Sequence, residues 1–335
     1  MNNITENKSL VDITTFHLPV KARYYCDYSS VEELRGILSS ELFKTNKYIH
    51  IGEGSNLIFR GDYNGVVLHS TINYITAVEE CDDYITLKVG SGVNWDKFVE
   101  YCVANNYYGV ENMSYIPGEV GASAVQNIGS YGVEVKDLIT KVDTISVKEL
   151  TERTFTNVEC EYDYRDSIFK GKLKGEYIVT AVEYKLRKKR GFTLNYAPLK
   201  NYSEEDLTLA KLRNIIIDIR KSKLPDPKEI GSVGSFFKNP VVPVAQYQAI
   251  LAENPTMPSY KVSDTLIKIP AGWLIENVGL KGYRIGGAAV YEKQCLVIVN
   301  ADNACCEDVI NLANHIVDTV KGKFGVTIEP EANLI

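Results

Sequence analysis

The 335-residue sequence predicts an α+β protein, and three observations carry that prediction. Short runs rich in β-branched residues, bounded by Gly and Asn turns, dominate residues 45–190. Convincing amphipathic helical repeats interrupt this half at two places. A composition shift after the basic stretch 185–190 then opens a second part that carries longer helices.

In chain order, Ser30 and Glu33 have capping-box spacing ahead of Leu34, Ile37 and Leu38, which starts a helix. Strands are expected at 48–51, 65–68, 84–89, 142–147 and 177–182. Between them Trp95, Phe98, Val99, Cys102 and Val103 recur on one helical face. Ser203 with Asp206 repeats the capping spacing, Leu209, Leu212, Ile215, Ile216 and Ile219 form an apolar stripe, and Pro225 and Pro227 end it. Val309, Leu312, Ala313, Ile316, Val317 and Val320 give a last helix, stopped by Gly322 and Gly325. A final strand is expected at 325–328, followed by the tail to Ile335.

At about 100–200 residues per domain, this length predicts two or three domains. The 37 Lys and Arg against 43 Asp and Glu leave a net charge of −6, without the clustered cations that nucleic-acid binding requires. The polar start lacks the basic and apolar regions of a secretory signal, and the longest apolar runs are only strand length. A cytoplasmic protein without membrane partners is therefore expected. The seven cysteines are scattered and contain no C-x-x-C pair, as for reduced, packed thiols. The four histidines lack ligand spacing, so no metal site is expected.

Glycine-bearing loops follow the strands at 51–57 (Ile-Gly-Glu-Gly-Ser-Asn-Leu) and 89–95 (Val-Gly-Ser-Gly-Val-Asn-Trp), and a third glycine-rich segment spans 116–132. Any one G-x-G reads most simply as a tight hairpin. Three within 80 residues, ending in Ser, Asn or Gln donors, favour backbone cradles for a phosphate-bearing cofactor. The cradle is not a Rossmann one, because the third glycine is replaced by Leu57 or Trp95, and no Walker A motif occurs.

The block Ile-Pro-Gly-x-Val-Gly-Ala…Gln-Asn-Ile-Gly-x-Tyr-Gly at 116–132 stands in order with several other motifs. These are Ile-Gly-Glu-Gly-Ser-Asn at 51–56, Tyr-Arg-Asp-Ser at 164–167, Ser-Lys-Leu-Pro-Asp-Pro at 222–227 and Gly-Ser-Phe-Phe-Lys-Asn-Pro at 234–240. Ala-Gly-Trp-Leu-Ile at 271–275, Ile-Gly-Gly-Ala-Ala-Val at 285–290 and Glu-Pro-Glu at 329–331 complete the series. Together they resemble the UDP-N-acetylenolpyruvoylglucosamine reductases (UDP-N-acetylmuramate dehydrogenases), in the longer type with a tyrosine loop. The resemblance implies an FAD-binding domain of the vanillyl-alcohol-oxidase (PCMH) type plus a C-terminal α+β substrate-binding domain. It places the FAD region at 15–200, with two subdomains split near 70. A linker helix and substrate domain follow at 201–325, and a tail at 326–335 returns to the active site.

The implied reaction is NADPH-dependent, FAD-mediated reduction of an enolpyruvyl UDP-sugar to UDP-N-acetylmuramate by a monomer with non-covalent FAD. Side chains cannot supply hydride, so a flavin must, and the protein's main task is to stabilise charge developing at C2 and the carboxylate. The resemblance makes Arg165 the carboxylate-holding cation, Ser235 the proton donor to C2 and Glu331 a proton-sharing acid beside the carboxylate. Read alone, Arg165 would pair with Asp163 or Asp166, Ser235 would be a turn residue and Glu331 part of a solvated tail. Tyr164, Tyr196, Lys223, Asn239 and Gln294 fall at substrate positions, with Tyr196 on a lid-like loop. Cofactor positions fall at Gly52, Gly54, Ser55, Asn56, Leu57, Pro117, Gly118, Gly121, Ala122, Gln126, Asn127, Gly129 and Arg220. The tail departs from the usual family pattern, with Asn333 where an arginine is common.

Overall fold

The computed structural model describes residues 4–335. The chain divides into two compact units. The first holds the chain up to Lys8 together with 22–53 and 64–220, and the second holds 9–21, 54–63 and 221–335. This division is interleaved, whereas the partition read from the sequence is contiguous. Residues 201–220 group with the first unit, and the short segments 9–21 and 54–63 group with the second.

The first unit is built on two sheets. One orders its strands Ile4–Ser9, Lys21–Tyr28, Tyr63–Ser70 and Tyr48–Ile51, the last two parallel. Helices α1 (Val31–Ser39) and α2 (Glu41–Thr45) supply Leu34, Ile37, Leu38 and Phe43 to a core shared with Cys26, Tyr28, Val66 and Leu68. Ser30 caps α1 by accepting the Glu33 N–H, while the Glu33 carboxylate reaches back to Ser29 rather than to Ser30. The second sheet is antiparallel, ordered Glu152–Thr156, Ile139–Ser146, Tyr177–Arg187, Tyr84–Gly90 and Ile75–Glu80. Helices α3 (Trp95–Ala104) and α4 (Val120–Gln126) pack there, with Trp95, Phe98, Val99, Cys102, Val120 and Ala124 fully buried against Leu87, Val89, Val182 and Tyr184. Asn94 starts α3 by accepting the Lys97 N–H.

Helix α5 (Leu209–Lys223) buries Leu209, Leu212 and Ile216 of the stripe expected from the sequence, with Ile215 and Ile219 half-buried beside them. Its start differs from the expectation. Residues 204–206 form a separate 3-10 turn on which Ser203 makes no side-chain cap, and Thr208 Oγ1 instead accepts the Lys211 N–H. A capping spacing read locally could not tell a one-turn element from the helix that follows it.

The second unit carries an antiparallel sheet ordered Gly231–Ser235, Val297–Asn300, Ala288–Val290 and Arg284–Ile285. A second sheet is ordered Val241–Pro243, Leu266–Lys268 and Tyr260–Lys261. Helices α6 (Val244–Glu253), α7 (Ala271–Asn277) and α8 (Cys306–Phe324) accompany them. Gly325, at φ +63°, caps α8, whereas Gly322 lies inside the helix. The strand expected at 325–328 does not form. The tail strand is Asn333–Leu334, paired in parallel with Leu57–Ile58. Val326 and Ile328 are buried without a ladder, so their apolar alternation reports packing rather than sheet pairing.

Candidate active site

In the first unit, two of the three glycine segments meet. The Glu53 carboxylate accepts the Gly118 N–H at 2.8 Å and the Asn94 side-chain amide at 2.6 Å, clasping the turn at 52–53 to the turn at 117–118. Gly118 has φ +124°, which only glycine adopts without strain. A Cβ on Gly52 would lie 3.0 Å from Glu119 Oε2. At the start of α4 the Val120 and Gly121 amides are spent on the carbonyls of Val93 and Ser91. Ala122, exposed, carries the first-turn amide left unbonded among the described residues. An apposed pair of glycine turns with a remaining helix N-terminal amide fits the anionic diphosphate of a dinucleotide cofactor.

The loop at 89–95 does not belong to that cradle. Cβ atoms on Gly90 and Gly92 would stand 2.4 Å from the carbonyl oxygens of Ile72 and Ser70, so these glycines allow backbone to pass backbone. Gly121 is likewise set by packing, its Cβ position falling 2.8 Å from that of Ser91.

Asn127 ends α4 in the left-handed region at φ +47° and is fully buried. Its side chain donates to the Asp163 carbonyl and accepts the Lys136 N–H, so both ends of the amide are committed to the protein. The carbonyls of Asn127 and Gly129 accept from the Arg165 guanidinium at 3.3 and 2.8 Å. Arg165 itself has φ +55° at the tip of a tight turn closed by Asp163 and Asp166 through their backbone groups. The carboxylates of those aspartates bond the amides of Tyr164 and Ser167. Lys170 donates to Gln126 Oε1 and to the Arg165 carbonyl, both at 2.9 Å. The Tyr164 ring lies 5.3 Å from the Arg165 guanidinium carbon.

Tyr196 meets Tyr131 edge to face, with ring centroids 6.2 Å apart. Arg220 hydrogen-bonds the Tyr131 side chain and donates Nε to the Tyr115 carbonyl at 3.0 Å. Burial holds its guanidinium below the ordinary arginine range, with Tyr131 and Asp96 pulling the other way. Arg220 thus ties together the two ends of the 115–131 segment. The Asp96–Arg213 ion pair, two contacts at 2.6 and 2.9 Å, supports the same segment because Asp96 also accepts the Tyr115 N–H.

In the second unit, Ser235 is exposed at the end of its strand, immediately before the buried Phe236 and Phe237. Gly234, at φ +71° with open space around it, lets the strand turn there. The Glu331 N–H donates to the Phe236 carbonyl at 2.7 Å, so Ser235 and Glu331 are held on neighbouring backbones. The Asn56 side-chain amide donates to the Glu331 carbonyl at 3.2 Å, and the Asn56 carbonyl accepts the Asn333 N–H at 3.0 Å. Asn333 is therefore a partner of the 54–57 turn. Gly54, at φ +60°, comes so close to Thr14 that a Cβ would lie 2.9 Å from its Cα, while Leu57 pairs with Asn333. Ser55 is part of the same turn.

Asn239 and Gln294 converge on the first turn of α7. Asn239 Oδ1 accepts the Ala271 N–H at 2.9 Å, and Gln294 Oε1 accepts the Leu296 N–H at 3.3 Å while facing Gly272. Lys223 is exposed at the end of α5. The expected residues thus gather in two sets. Gly52, Pro117, Gly118, Gly121, Ala122, Gln126, Asn127, Gly129, Tyr164, Arg165, Tyr196 and Arg220 belong to the first unit. Gly54, Ser55, Asn56, Leu57, Lys223, Ser235, Asn239, Gln294 and Glu331 belong to the second. Glu53, Asp96, Arg213 and Lys170 went unremarked in the sequence. Only Glu53 carries a local signal, as the charged residue inside a G-x-G.

Residues 23–150 match the FAD binding domain family, and residues 226–335 match the C-terminal domain family of UDP-N-acetylenolpyruvoylglucosamine reductase. The UDP-N-acetylenolpyruvoylglucosamine reductase of Bacteroides fragilis strain YCH46 is 49% identical over 329 residues, covering 98% of each chain. That of Porphyromonas gingivalis strain W83 is 44% identical over 336 residues, covering 99% of each. The crystal structure of the reductase from Thermus caldophilus superposes with a TM-score of 0.68 at 21% identity, over 100% of this chain and 98% of that one, and shows the same fold.

Proposed function

Because the chain belongs to the UDP-N-acetylenolpyruvoylglucosamine reductases, we propose that it reduces UDP-N-acetylglucosamine enolpyruvate to UDP-N-acetylmuramate with electrons from NADPH, a cytoplasmic step of peptidoglycan precursor synthesis. It is an FAD-domain oxidoreductase. In this reading residues 15–200 hold FAD non-covalently, 201–325 bind the UDP-sugar and 326–335 complete the active site of a monomer. The seven free cysteines suit a reducing compartment. Among the described residues, no helix is long and apolar enough to cross a membrane.

The glycine turns at 52–57 and 117–122 would hold FAD, which, recharged by NADPH, would supply the hydride for C3 of the enolpyruvyl group. Arg165 holds the substrate carboxylate and stabilises the charge that spreads over it and C2. Its left-handed backbone and its anchoring on Asn127 and Gly129 support this role, because they fix a long side chain at one orientation before substrate arrives. Ser235 Oγ delivers the proton to C2, and Glu331 shares a proton with the carboxylate. Lys223 suits the diphosphate, Asn239 and Gln294 the sugar or uracil edges, and Tyr164 and Tyr196 the approach to them.

The observation that carries the assignment of roles is the bond from Glu331 N–H to the Phe236 carbonyl. It supports the reading because it ties the tail backbone at Glu331 to the residue after the exposed serine, where a solvated tail would make no such bond. The test is a stopped-flow trace on the yellow holoenzyme: NADPH bleaches the flavin, and UDP-N-acetylglucosamine enolpyruvate restores its colour while yielding the muramate. Failure of that substrate to reoxidise the flavin would refute the assignment.

A further inference from the structure

Beneath the paired glycine turns of the first unit runs a row of titratable side chains that the reaction does not use. His69, on the strand Tyr63–Ser70, places Nδ1 2.8 Å from Asp27 Oδ1 and Nε2 2.8 Å from Glu119 Oε1. Both ring nitrogens face carboxylate oxygens, and a neutral imidazole can donate from only one. The row therefore retains a proton on the His69–Glu119 side that an isolated pair would lose near neutrality. Glu119 immediately precedes α4 and is 7% exposed. Its second oxygen, Oε2, lies against the side of Gly52 that a Cβ would occupy.

The surrounding charges make the retained proton consequential. Glu53 faces Glu119 from the glycine turn, and Asp27 lies on the strand Lys21–Tyr28, next in the sheet. His50 faces the row from Tyr48–Ile51, and Tyr25 hydrogen-bonds Asp27. Lys8 reaches over the Tyr25 ring with its ammonium 6.0 Å from the centroid. Three carboxylates beside a diphosphate site would repel the ligand, because like charges near a protein surface are only partly screened.

We propose that His69 is a positioning residue for the cofactor: by clamping and neutralising Glu119, it sets the turns at 52–53 and 117–118 to accept the diphosphate of FAD. The proposal rests on the reading that these turns hold FAD. Burial disfavours the imidazolium, but the hydrogen bonds and charges of Glu119 and Asp27 outweigh it and raise its pKa to about 9. Cofactor affinity is then highest at neutral pH and falls as pH rises through 9.

The experiment measures FAD release on dilution of the full-length holoenzyme, by recovery of flavin fluorescence between pH 7 and 10. Wild type, His69→Gln, Glu119→Gln and the double variant are compared. Wild type is expected to lose affinity roughly tenfold across this range, and His69→Gln to be weaker by roughly tenfold already at pH 7, the size of one screened charge interaction. Glu119→Gln, which needs no neutralising cation, should show a flat profile, and adding it to His69→Gln should restore most of the lost affinity. A purely structural role for His69 predicts no such rescue, so a double variant as weak as His69→Gln overturns the proposal. If His69→Gln does not fold, wild type decides against Glu119→Gln, and equal pH profiles overturn the proposal. A wild-type protein that retains no FAD at any pH would instead refute the underlying FAD reading.

Discussion

Ser235 and Asn127 show how little of a residue's task is visible in its identity. Ser235 is exposed at a strand end, and the buried pair Phe236 and Phe237 fixes the backbone behind it. Its replacement by Ala should leave flavin reduction by NADPH unchanged and slow substrate-dependent reoxidation by about 10²–10⁴-fold, the range for a lost general acid. Stopped-flow absorbance separates the two half-reactions, and equal loss in both would assign the serine a structural role. Asn127 was expected to touch the cofactor, yet its amide is spent on the Asp163 carbonyl and the Lys136 N–H. Asn127→Ala should lower stability by about 1–3 kcal/mol, since it removes the partner of the part-buried Asp163 carbonyl and Lys136 N–H and places Ala in the left-handed region. Urea midpoints read this directly. An unchanged midpoint with weakened FAD would assign Asn127 a cofactor contact. Arg165, Ser235 and Glu331 stand out in the sequence as candidates because they belong to an ordered series of motifs. Lys170, Arg213 and Glu53 were not, because a partner distant in sequence defines each of them.

At the scale of elements, glycine spacing is the ambiguous signal. The G-x-G at 52–54 and the G-x-G at 90–92 look alike, but in the second both glycines let neighbouring backbone pass at a distance that excludes a Cβ, whereas in the first only Gly54 does and Gly52 faces a side chain. Gly92→Ala should therefore cost stability by about 1–3 kcal/mol through overpacking, with any loss of FAD following the unfolding. Thermal melts run with and without added FAD distinguish this from a cofactor contact, for which affinity would fall at an unchanged melting temperature. The helices were legible where an apolar stripe was long, as in α3, α5 and α8. The ends were less so. Ser203 opens a separate turn ahead of α5, and residues 325–328 carry strand-like alternation without a strand beside them. The tail pairs instead at Asn333–Leu334 with Leu57–Ile58, more than 270 residues earlier in the chain, and no local window contains that pairing.

Across the whole molecule, the net charge of −6 argues against polyanion binding but cannot see the sites that suit diphosphates, where backbone amides and single cations act locally. Charge does govern stability through two histidines on adjacent parallel strands of the first sheet. In its register His50 pairs with Leu68, and Ile51 pairs with His69. Burial, aided by the charge of His69, lowers the His50 pKa to about 3, and its Nε2 lies 2.6 Å from the Tyr28 hydroxyl. His69 is raised to about 9 despite its burial, through Glu119 and Asp27. The two shifts act in opposite directions. Below the unfolded value of about 6.5, the unfolded state takes up a proton that folded His50 refuses, so stability falls with pH until about 3. Above about 6.5, folded His69 keeps a proton that the unfolded state releases, so stability declines as pH rises and the contribution is gone beyond about 9. Each limb has a limiting slope of about 1.4 kcal/mol per pH unit, and the two place the maximum near pH 6.5. Urea midpoints between pH 4 and 10 should trace this bell. His69→Gln should flatten the alkaline limb, and His50→Gln the acid one, after allowance for the carboxylates that titrate below pH 5. An alkaline limb that survives in His69→Gln would show that other groups set it.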